Sequence, residues 1–123
     1  MYRLSIACDF IAQHYLVGGD WGAENVRHSH AYKVEVMLRG PALDRHGYLV
    51  DIVGLQSALD EVIAQFRDRT LNELEPFVGL NPSLERFARV IHDQLHAKAD
   101  LGDLSLAVKV WENERAWASY GRE

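Results

Sequence analysis

The sequence predicts an α+β domain of order ββααββ, in which a four-stranded antiparallel sheet carries two helices on one face. Two observations predict this class. Apolar residues alternate with polar ones near both ends of the chain, as in half-buried strands, and recur at helical spacing in between. A hairpin at each end implies an antiparallel sheet whose apolar face the helices cover. At 123 residues, the chain is expected to form one domain over residues 1–123.

The first two strands are predicted over residues 2–12 and 31–39, where even-numbered positions are the more apolar ones. Phe10 and Tyr32 belong to this apolar face, and Lys33 belongs to the opposite one. The stretch LVGGDWGAEN between the two strands contains three glycines, which are typical of a loop. The pattern therefore predicts a first hairpin with a long connection.

Two helices are predicted in the middle of the chain. After Asp51, a residue suited to capping, apolar residues recur every three or four positions and predict a helix over about residues 53–67. Asn81, Pro82 and Ser83 are start signals for a second helix, which should end near Ala99.

A second hairpin is predicted at the end of the chain. Alternating apolar residues over 104–110 predict a strand, ENE is read as a turn, and RAWASY is read as the fourth strand. An open sheet of four strands has two bare edges, and bare edges invite pairing with other chains. We therefore expect the protein to associate through its sheet edges.

Composition and charge argue against several classes of function. Thirteen Lys and Arg against eighteen Asp and Glu give a net charge of −5, without the basic stripe of a nucleic-acid-binding protein. No apolar run approaches the ~20 residues of a membrane span. The N-terminal segment MYRLSIACDF lacks a secretory pattern, and the single cysteine, Cys8, is expected to be a core residue. These features predict a cytoplasmic protein.

Three histidines are predicted to meet at one end of the sheet. His14 continues the apolar face of the first strand, and His28 and His30 precede Tyr32 on the same face of the second. Residues two apart on a strand are separated by roughly 6.5–7 Å, so both rings of the pair can reach one ion. A third imidazole from the neighbouring strand would complete a zinc site with an open position. The alternative is three polar residues at a loop mouth, bonded to backbone or water.

A second histidine pair, His92 and His96, lies one helical turn apart in the second predicted helix. It lacks the glutamate that directly follows the first histidine in a zinc-protease helix. We therefore expect a solvated helix flank at this place.

Several motifs, taken in order, resemble one known family. They are FIAQH at 10–14, HSHAY at 28–32, GYLVDI at 47–52, LN at 71–72, PSLE at 82–85 and VWE at 110–112. Each fragment is short, but their order and spacing over nearly the whole chain resemble the 6-pyruvoyl-tetrahydropterin synthase and 6-carboxytetrahydropterin synthase family.

The resemblance implies a T-fold, in which ββααββ subunits join edge to edge into a barrel, usually a homohexamer of two stacked trimers. It implies a pterin ligand and zinc, with Glu112 gripping the amino-pyrimidine edge of the pterin. A carboxylate suits that role because it can accept two parallel hydrogen bonds. Ser83 and Glu85 would line the same pocket, although a helix-capping Ser and a first-turn Glu show the same pattern. The implied zinc ligands are His14, His28 and His30.

The catalytic residues that the resemblance implies are replaced in this chain. Glu24 stands where the family has a cysteine, and Arg67 and Asp68 stand where it has an Asp-His pair. Arg does not deprotonate and Asp is normally ionised, so the standard synthase reaction is not expected. One branch of the family has glutamate at the cysteine's place and cleaves the dihydroneopterin side chain.

The resemblance therefore implies a pterin-binding protein with a Glu24-assisted lyase or aldolase step. A non-catalytic module for a pterin or a purine-like ligand is the first alternative, and a purely structural subunit is the second.

Overall fold

Four strands form one antiparallel sheet in the structure, a computed structural model that describes residues 1–122. Their order across the sheet follows the chain, and each neighbouring pair is antiparallel. The strands are β1 (Tyr2–His14), β2 (His28–Gly40), β3 (Ser105–Trp111) and β4 (Trp117–Gly121), and the α-helices between β2 and β3 are α1 (Ile52–Ile63) and α2 (Leu84–Lys98). The predicted ββααββ order is therefore confirmed.

The core lies between the sheet and the helices. Phe10 and Tyr32, from the even-numbered face of β1 and β2, stack with their ring centroids 5.4 Å apart. Phe87 of α2 packs edge-on against them, at 5.8 Å from Phe10 and 5.2 Å from Tyr32. Aromatic pairs in these arrangements stabilise a core beyond the area that they bury. Because residues two apart share a face, His14 and His30 lie on the same side of the sheet as this core.

Both helices begin at the predicted caps. The Asp51 side chain accepts a hydrogen bond from Val53 N at 3.1 Å, and Ser83 Oγ accepts one from Arg86 N at 3.2 Å. Such caps satisfy amide groups that the first helical turn leaves without partners. The second helix runs to Lys98, close to its predicted end. No helix within residues 1–122 combines the length and apolar character that crossing a membrane requires.

The first helix is shorter than predicted, since it ends at Ile63 and not near residue 67. The chain then turns towards the edge of β1, where Asp68 N donates to Ile11 O at 2.7 Å and Gln13 N donates to Arg69 O at 2.8 Å. Asp68 has a φ of 61°, in the left-handed region that Asp tolerates better than most residues. Pairing with β1 therefore takes the place of the last predicted helical turn.

Strands β1 and β4 are the two edges of the sheet. The His14 end of β1 is partly covered by the segment just described and by a bridge between Gln13 and Thr70. In the described part of the chain, no other strand pairs with the outer edge of β1 or of β4. Both strands therefore keep open edge that another strand could use.

Candidate metal centre

The three histidines lie side by side at one end of the sheet. In the register of β1 and β2, His14 is opposite His28, and Ala12 is opposite His30. The centroid of the His14 ring is 4.6 Å from each of the other two, which are 4.8 Å apart. The predicted convergence of the three rings is therefore confirmed.

The loop between β1 and β2 is held by hydrogen bonds of its own. Asn25 Nδ2 donates to Leu16 O at 2.9 Å and to Gly19 O at 3.0 Å, and Asn25 Oδ1 accepts from Trp21 N at 2.7 Å. Leu16 N in turn donates to Glu24 O at 2.9 Å. These bonds fix the short 3-10 turn that carries Glu24, and so place this residue next to the histidines.

Acceptor atoms are concentrated between the rings. His28 Nδ1 lies 2.7 Å from Val26 O, and because a carbonyl only accepts, the ring hydrogen is on Nδ1. In the neutral ring, His28 Nε2 is then a bare acceptor. It is buried and makes no hydrogen bond within residues 1–122, although Glu24 Oε2 lies 2.9 Å away. His14 Nε2 and His30 Nε2 lie within hydrogen-bond distance of each other, at 3.0 Å. A positive ion between the rings would satisfy the buried acceptor of His28.

Burial keeps two of these imidazoles neutral. Burial, followed by repulsion from His30 and His28, lowers the pKa of His14 from 6.5 to about 4. Burial also lowers the pKa of His30, against the opposing effect of the nearby Glu112 carboxylate. Neutral imidazole is the form that binds a metal. At neutral pH, His14 and His30 are therefore in the form of a ligand.

The side chains present fit a divalent transition-metal ion. One ligand atom each from His14, Glu24, His28 and His30 lies within 4.8 Å of the others. Imidazole nitrogens and carboxylate oxygens are both zinc ligands. The rings also have the supporting contacts that orient metal ligands, since Tyr32 Oη is 3.1 Å from His14 Nδ1 and His28 donates to the backbone. The donor set therefore suits a zinc-type ion.

A second carboxylate borders the cluster at the end of β3. Glu112 Oε1 lies 3.1 Å from His30 Nε2 and 3.8 Å from His14 Nε2, and the Glu112 side chain is 25% exposed. Glu112 also lines a cavity of about 620 Å³, together with His30, Trp111 and Lys33. Small-molecule sites commonly measure about 300–1,000 Å³. The cavity is therefore large enough for a small aromatic ligand beside the cluster.

Ser83 and Glu85 lie outside the lining of this cavity. Ser83 caps α2, and Glu85 is exposed in its first turn. The residue before them, Pro82, is closer to the centre, because a backbone hydrogen bond with Pro82 opposes the lowering of the His14 pKa. Within one chain both residues follow the capping pattern, and a ligand role for them stays a prediction.

The residues at the family's Asp-His positions and the single cysteine do not line the 620 Å³ cavity. Arg67 Nη1 donates to Asp9 O at 3.3 Å, and Arg67 and Asp68 line a different cavity of about 320 Å³. Burial raises the pKa of the Cys8 thiol from 9.0 to about 11, with Asp60 adding to the effect. Since the thiolate is the reactive form, Cys8 is not a substitute for the family's catalytic cysteine.

The second histidine pair differs from the prediction of a solvated flank. His96 is exposed as predicted. The His92 side chain is only 16% exposed, because Tyr120 of β4 packs edge-on against its ring with centroids 4.9 Å apart. The prediction is wrong for His92, since spacing along one helix cannot show that a distant strand covers it.

Sequence patterns did not single out Tyr32, Trp111 or Lys33 as site residues. Tyr32 follows His30 by two positions on the same strand, and this shared parity is the signal that could have identified it. Trp111 and Lys33 lie opposite each other in the register of β2 and β3. That neighbourhood exists only after the sheet has formed.

Comparison with known proteins identifies a family. The family model described as 6-pyruvoyl tetrahydropterin synthase matches residues 3–123. The 6-pyruvoyl tetrahydrobiopterin synthase of Drosophila melanogaster is 30% identical over 95 residues, which are 76% of this chain and only 56% of that protein. A protein of Archaeoglobus fulgidus described as a 6-carboxy-5,6,7,8-tetrahydropterin synthase is 29% identical over 120 residues, 97% of this chain and 95% of its own. The dihydroneopterin monophosphate aldolase of Pyrococcus furiosus is 26% identical over 111 residues, 89% of either chain.

Solved structures share the fold. The Caenorhabditis elegans 6-pyruvoyl tetrahydropterin synthase matches with a TM-score of 0.87 at 21% identity, over 99% of this chain and 96% of that one. The Plasmodium vivax 6-pyruvoyltetrahydropterin synthase, solved with a catalytic glutamate replaced by alanine, matches with a TM-score of 0.81 at 18% identity, over 99% and 98%. The expectation of a T-fold subunit, with the order ββααββ, is therefore confirmed.

Proposed function

Because the chain belongs to the 6-pyruvoyl tetrahydropterin synthase family, we propose that it binds a dihydropterin and cleaves its side chain in a lyase or aldolase step, with Glu24 as the base. The observation that carries the proposal is the position of the Glu24 carboxylate, 2.9 Å from His28 Nε2 at the edge of the histidine cluster. A general base must lie within hydrogen-bond reach of the proton that it takes. The side chain of a substrate bound beside the histidine cluster would lie at this edge, within reach of Glu24.

The cavity next to His30 is the proposed pterin site. Glu112 would accept hydrogen bonds from the amino-pyrimidine edge of the ring, since its carboxylate borders both the cavity and the cluster. Trp111 offers an aromatic surface in the same cavity. Ser83 and Glu85 are proposed to contribute from the start of α2, which Pro82 brings close to His14.

The proposed step is a retro-aldol cleavage of a dihydroneopterin side chain. Glu24 takes the proton of the hydroxyl on the second side-chain carbon, and that oxygen becomes the aldehyde oxygen of glycolaldehyde. The bond between the first and second carbons breaks, and its electron pair moves into the ring imine. The proton returns to the first carbon, which leaves 6-hydroxymethyl-dihydropterin. No oxidant or reductant is needed.

Zinc is the proposed cofactor, held by His14, His28 and His30. When bound, such an ion supplies positive charge that polarises the side-chain oxygens. The chain's own residues orient the rings, through Tyr32 at His14 and the backbone at His28. One zinc per chain in protein purified without a His tag would support this part of the proposal.

Two relatives support the two parts of this proposal separately. The Pyrococcus protein is described as an aldolase, and the Plasmodium protein, which is described as a synthase, has a catalytic glutamate. In this chain Arg67 and Asp68 replace the Asp-His pair that the resemblance implies, which removes the partners of the standard reaction. We also propose a homohexamer, since β1 and β4 keep open edges in the described part of the chain.

The test is turnover by Glu24→Gln. Chromatography would follow 6-hydroxymethyl-dihydropterin and glycolaldehyde, free or phosphorylated, from 7,8-dihydroneopterin, its monophosphate and its triphosphate. Loss of the base should lower the rate by about 10²–10⁴-fold. Glu73→Gln is the matched control, because Glu73 is also an exposed glutamate in a short 3-10 turn and does not line the cavity. Wild-type protein that forms neither product from any of the three compounds would contradict the lyase proposal.

A non-catalytic module for a pterin or purine-like ligand is the second candidate, favoured by the replacements at Arg67 and Asp68. It predicts saturable binding of neopterin without product. The Glu112→Gln variant should then weaken binding by about 10–100-fold, since hydrogen bonds to a charged group contribute roughly 1.5–3 kcal/mol. Neopterin fluorescence titration checks this outcome, and unchanged affinity in Glu112→Gln would count against Glu112 as the ring anchor.

A further inference from the structure

We propose that Glu24 is the fourth protein ligand of the metal centre when no pterin is bound, and that it leaves the ion when the substrate side chain enters. This role rests on the metal centre of the proposed function and adds to the role of Glu24 as base. One carboxylate would then both close the centre and, once released, take the proton.

The contact between Glu24 and His28 carries the proposal. Their Oε2 and Nε2 atoms are 2.9 Å apart, yet His28 Nε2 makes no hydrogen bond within residues 1–122. A proton shared between them would lie near the line joining the two atoms and would make a hydrogen bond. Two ligands of one ion need no such alignment, because each is directed at the ion. The pair lies close together without a hydrogen bond, which leaves both atoms available to an ion.

The spacing of the other ligand atoms agrees with a common centre. Ligands about 2.0–2.1 Å from a tetrahedral ion are about 3.3 Å from one another. His14 Nε2 and His30 Nε2 are 3.0 Å apart, close to the Glu24–His28 separation. All four ligand atoms lie within 4.8 Å of one another. Small side-chain movements would therefore bring all four to one ion.

Glu24 is also the ligand best placed to leave. Its side chain is 53% exposed, whereas that of His28 is 26% exposed and that of His14 is 6% exposed. The backbone of the turn stays fixed by hydrogen bonds. Asn25 Nδ2 donates to Leu16 O and Gly19 O, and Leu16 N donates to Glu24 O. Rotation about the Glu24 side-chain bonds can therefore move the carboxylate towards solvent while the histidines remain in place.

The exchange has a functional consequence. A centre with four protein ligands is closed, whereas one with three keeps an open position. While Glu24 is a ligand, its oxygen cannot serve as the base. Entry of the substrate side chain would release Glu24 at the moment when a base is needed.

Glu112 provides the matched comparison. It is also a carboxylate beside the cluster, 3.1 Å from His30 Nε2, but it contacts His30 and His14 and not the bare acceptor of His28. Glu24→Gln and Glu112→Gln remove the same charge at similar distances from the histidine nitrogens. Only the first should remove a ligand.

The experiment measures metal binding by the full chain with no pterin present. Zinc affinity comes from competition with a chromophoric chelator, and cobalt(II) added to the metal-free protein reports coordination through its visible absorption. We expect Glu24→Gln to lower zinc affinity at least about tenfold and to change the cobalt spectrum, because even supporting contacts of metal ligands contribute 10–100-fold. Glu112→Gln should lower the affinity less and leave the cobalt spectrum as in wild type. Neopterin should change the cobalt spectrum of wild type towards that of Glu24→Gln.

Two outcomes would overturn the proposal. One is a zinc affinity of Glu24→Gln within about threefold of wild type with the same cobalt spectrum, well short of a ligand's effect. The other is a larger loss in Glu112→Gln than in Glu24→Gln, which would assign the fourth position to Glu112. Thermal unfolding of the metal-free proteins confirms that both variants fold. This experiment measures metal binding and not turnover. A protein without lyase activity can therefore still show Glu24 to be a ligand, and an active lyase can still fail this test.

Discussion

The chain carries two groups of histidines, and they differ in what surrounds the ring nitrogens. His14, His28 and His30 meet on adjacent strands with their Nε2 atoms directed inwards, and His28 Nε2 has no hydrogen bond in the described part of the chain. His92 and His96 share one helix face, with parallel rings 6.1 Å apart. The first group brings its ring nitrogens together, and the second stacks along one helix with His92 covered by Tyr120 of β4.

The helical pair is held by packing with its neighbours. His92 Nδ1 is 2.9 Å from Asp93 Oδ1, and its ring packs against Tyr120. The guanidinium of Arg89 lies over the Tyr120 ring, 5.2 Å from the centroid. These contacts give His92 a structural role. A metal site is therefore indicated by converging bare acceptors and not by the number of histidines.

The largest effect should come from removing the paired ligands of β2. The double variant His28→Ala/His30→Ala should lower zinc content from about one ion per chain to background, because one imidazole and one exposed carboxylate are too few ligands to retain the ion. The matched control is His92→Ala/His96→Ala, which should keep the wild-type content. Elemental analysis of protein purified without a His tag measures both. Equal loss of zinc from the two double variants would remove the distinction between the groups.

A smaller effect should follow from Tyr32→Phe. The phenyl ring can stay in the aromatic stack, but the hydroxyl 3.1 Å from His14 Nδ1 is lost. Contacts that orient metal ligands typically contribute 10–100-fold to affinity, and we expect a loss of zinc affinity in that range. Chelator competition measures it. Tyr120→Phe is the control from the helical group and should leave the affinity unchanged, so a loss there would argue for a general effect on folding.

The sheet order, both helix caps and the shared face of His14, His28 and His30 were predicted correctly from patterns within single elements. Each of these depends on residues close in sequence or on strand alternation. The early end of α1 could not be predicted in this way, because it depends on pairing between Asp68 and the edge of β1.

The candidate site follows the same rule. The histidines and Glu24 could be found because spacing and resemblance both point to them. The cavity could not, because it combines Glu112 and Trp111 at the end of β3 with Lys33 of β2. The covering of His92 by β4 was missed for the same reason. Contacts between distant elements are set by the packed fold and leave no local pattern.

The smallest predicted effect concerns the stability contributions of the two helical histidines. His92→Ala should lower the free energy of unfolding by about 1 kcal/mol, since it removes a mostly buried ring and its contact with Tyr120. His96→Ala, at an exposed position, should change it by less than about 0.5 kcal/mol. Urea unfolding measures both, with zinc content determined on the same samples. Wild-type zinc content in both variants, with the larger loss of stability in His92→Ala, would fit a structural role for His92. Loss of zinc from His92→Ala would instead tie this residue to the metal and contradict the distinction between the two histidine groups.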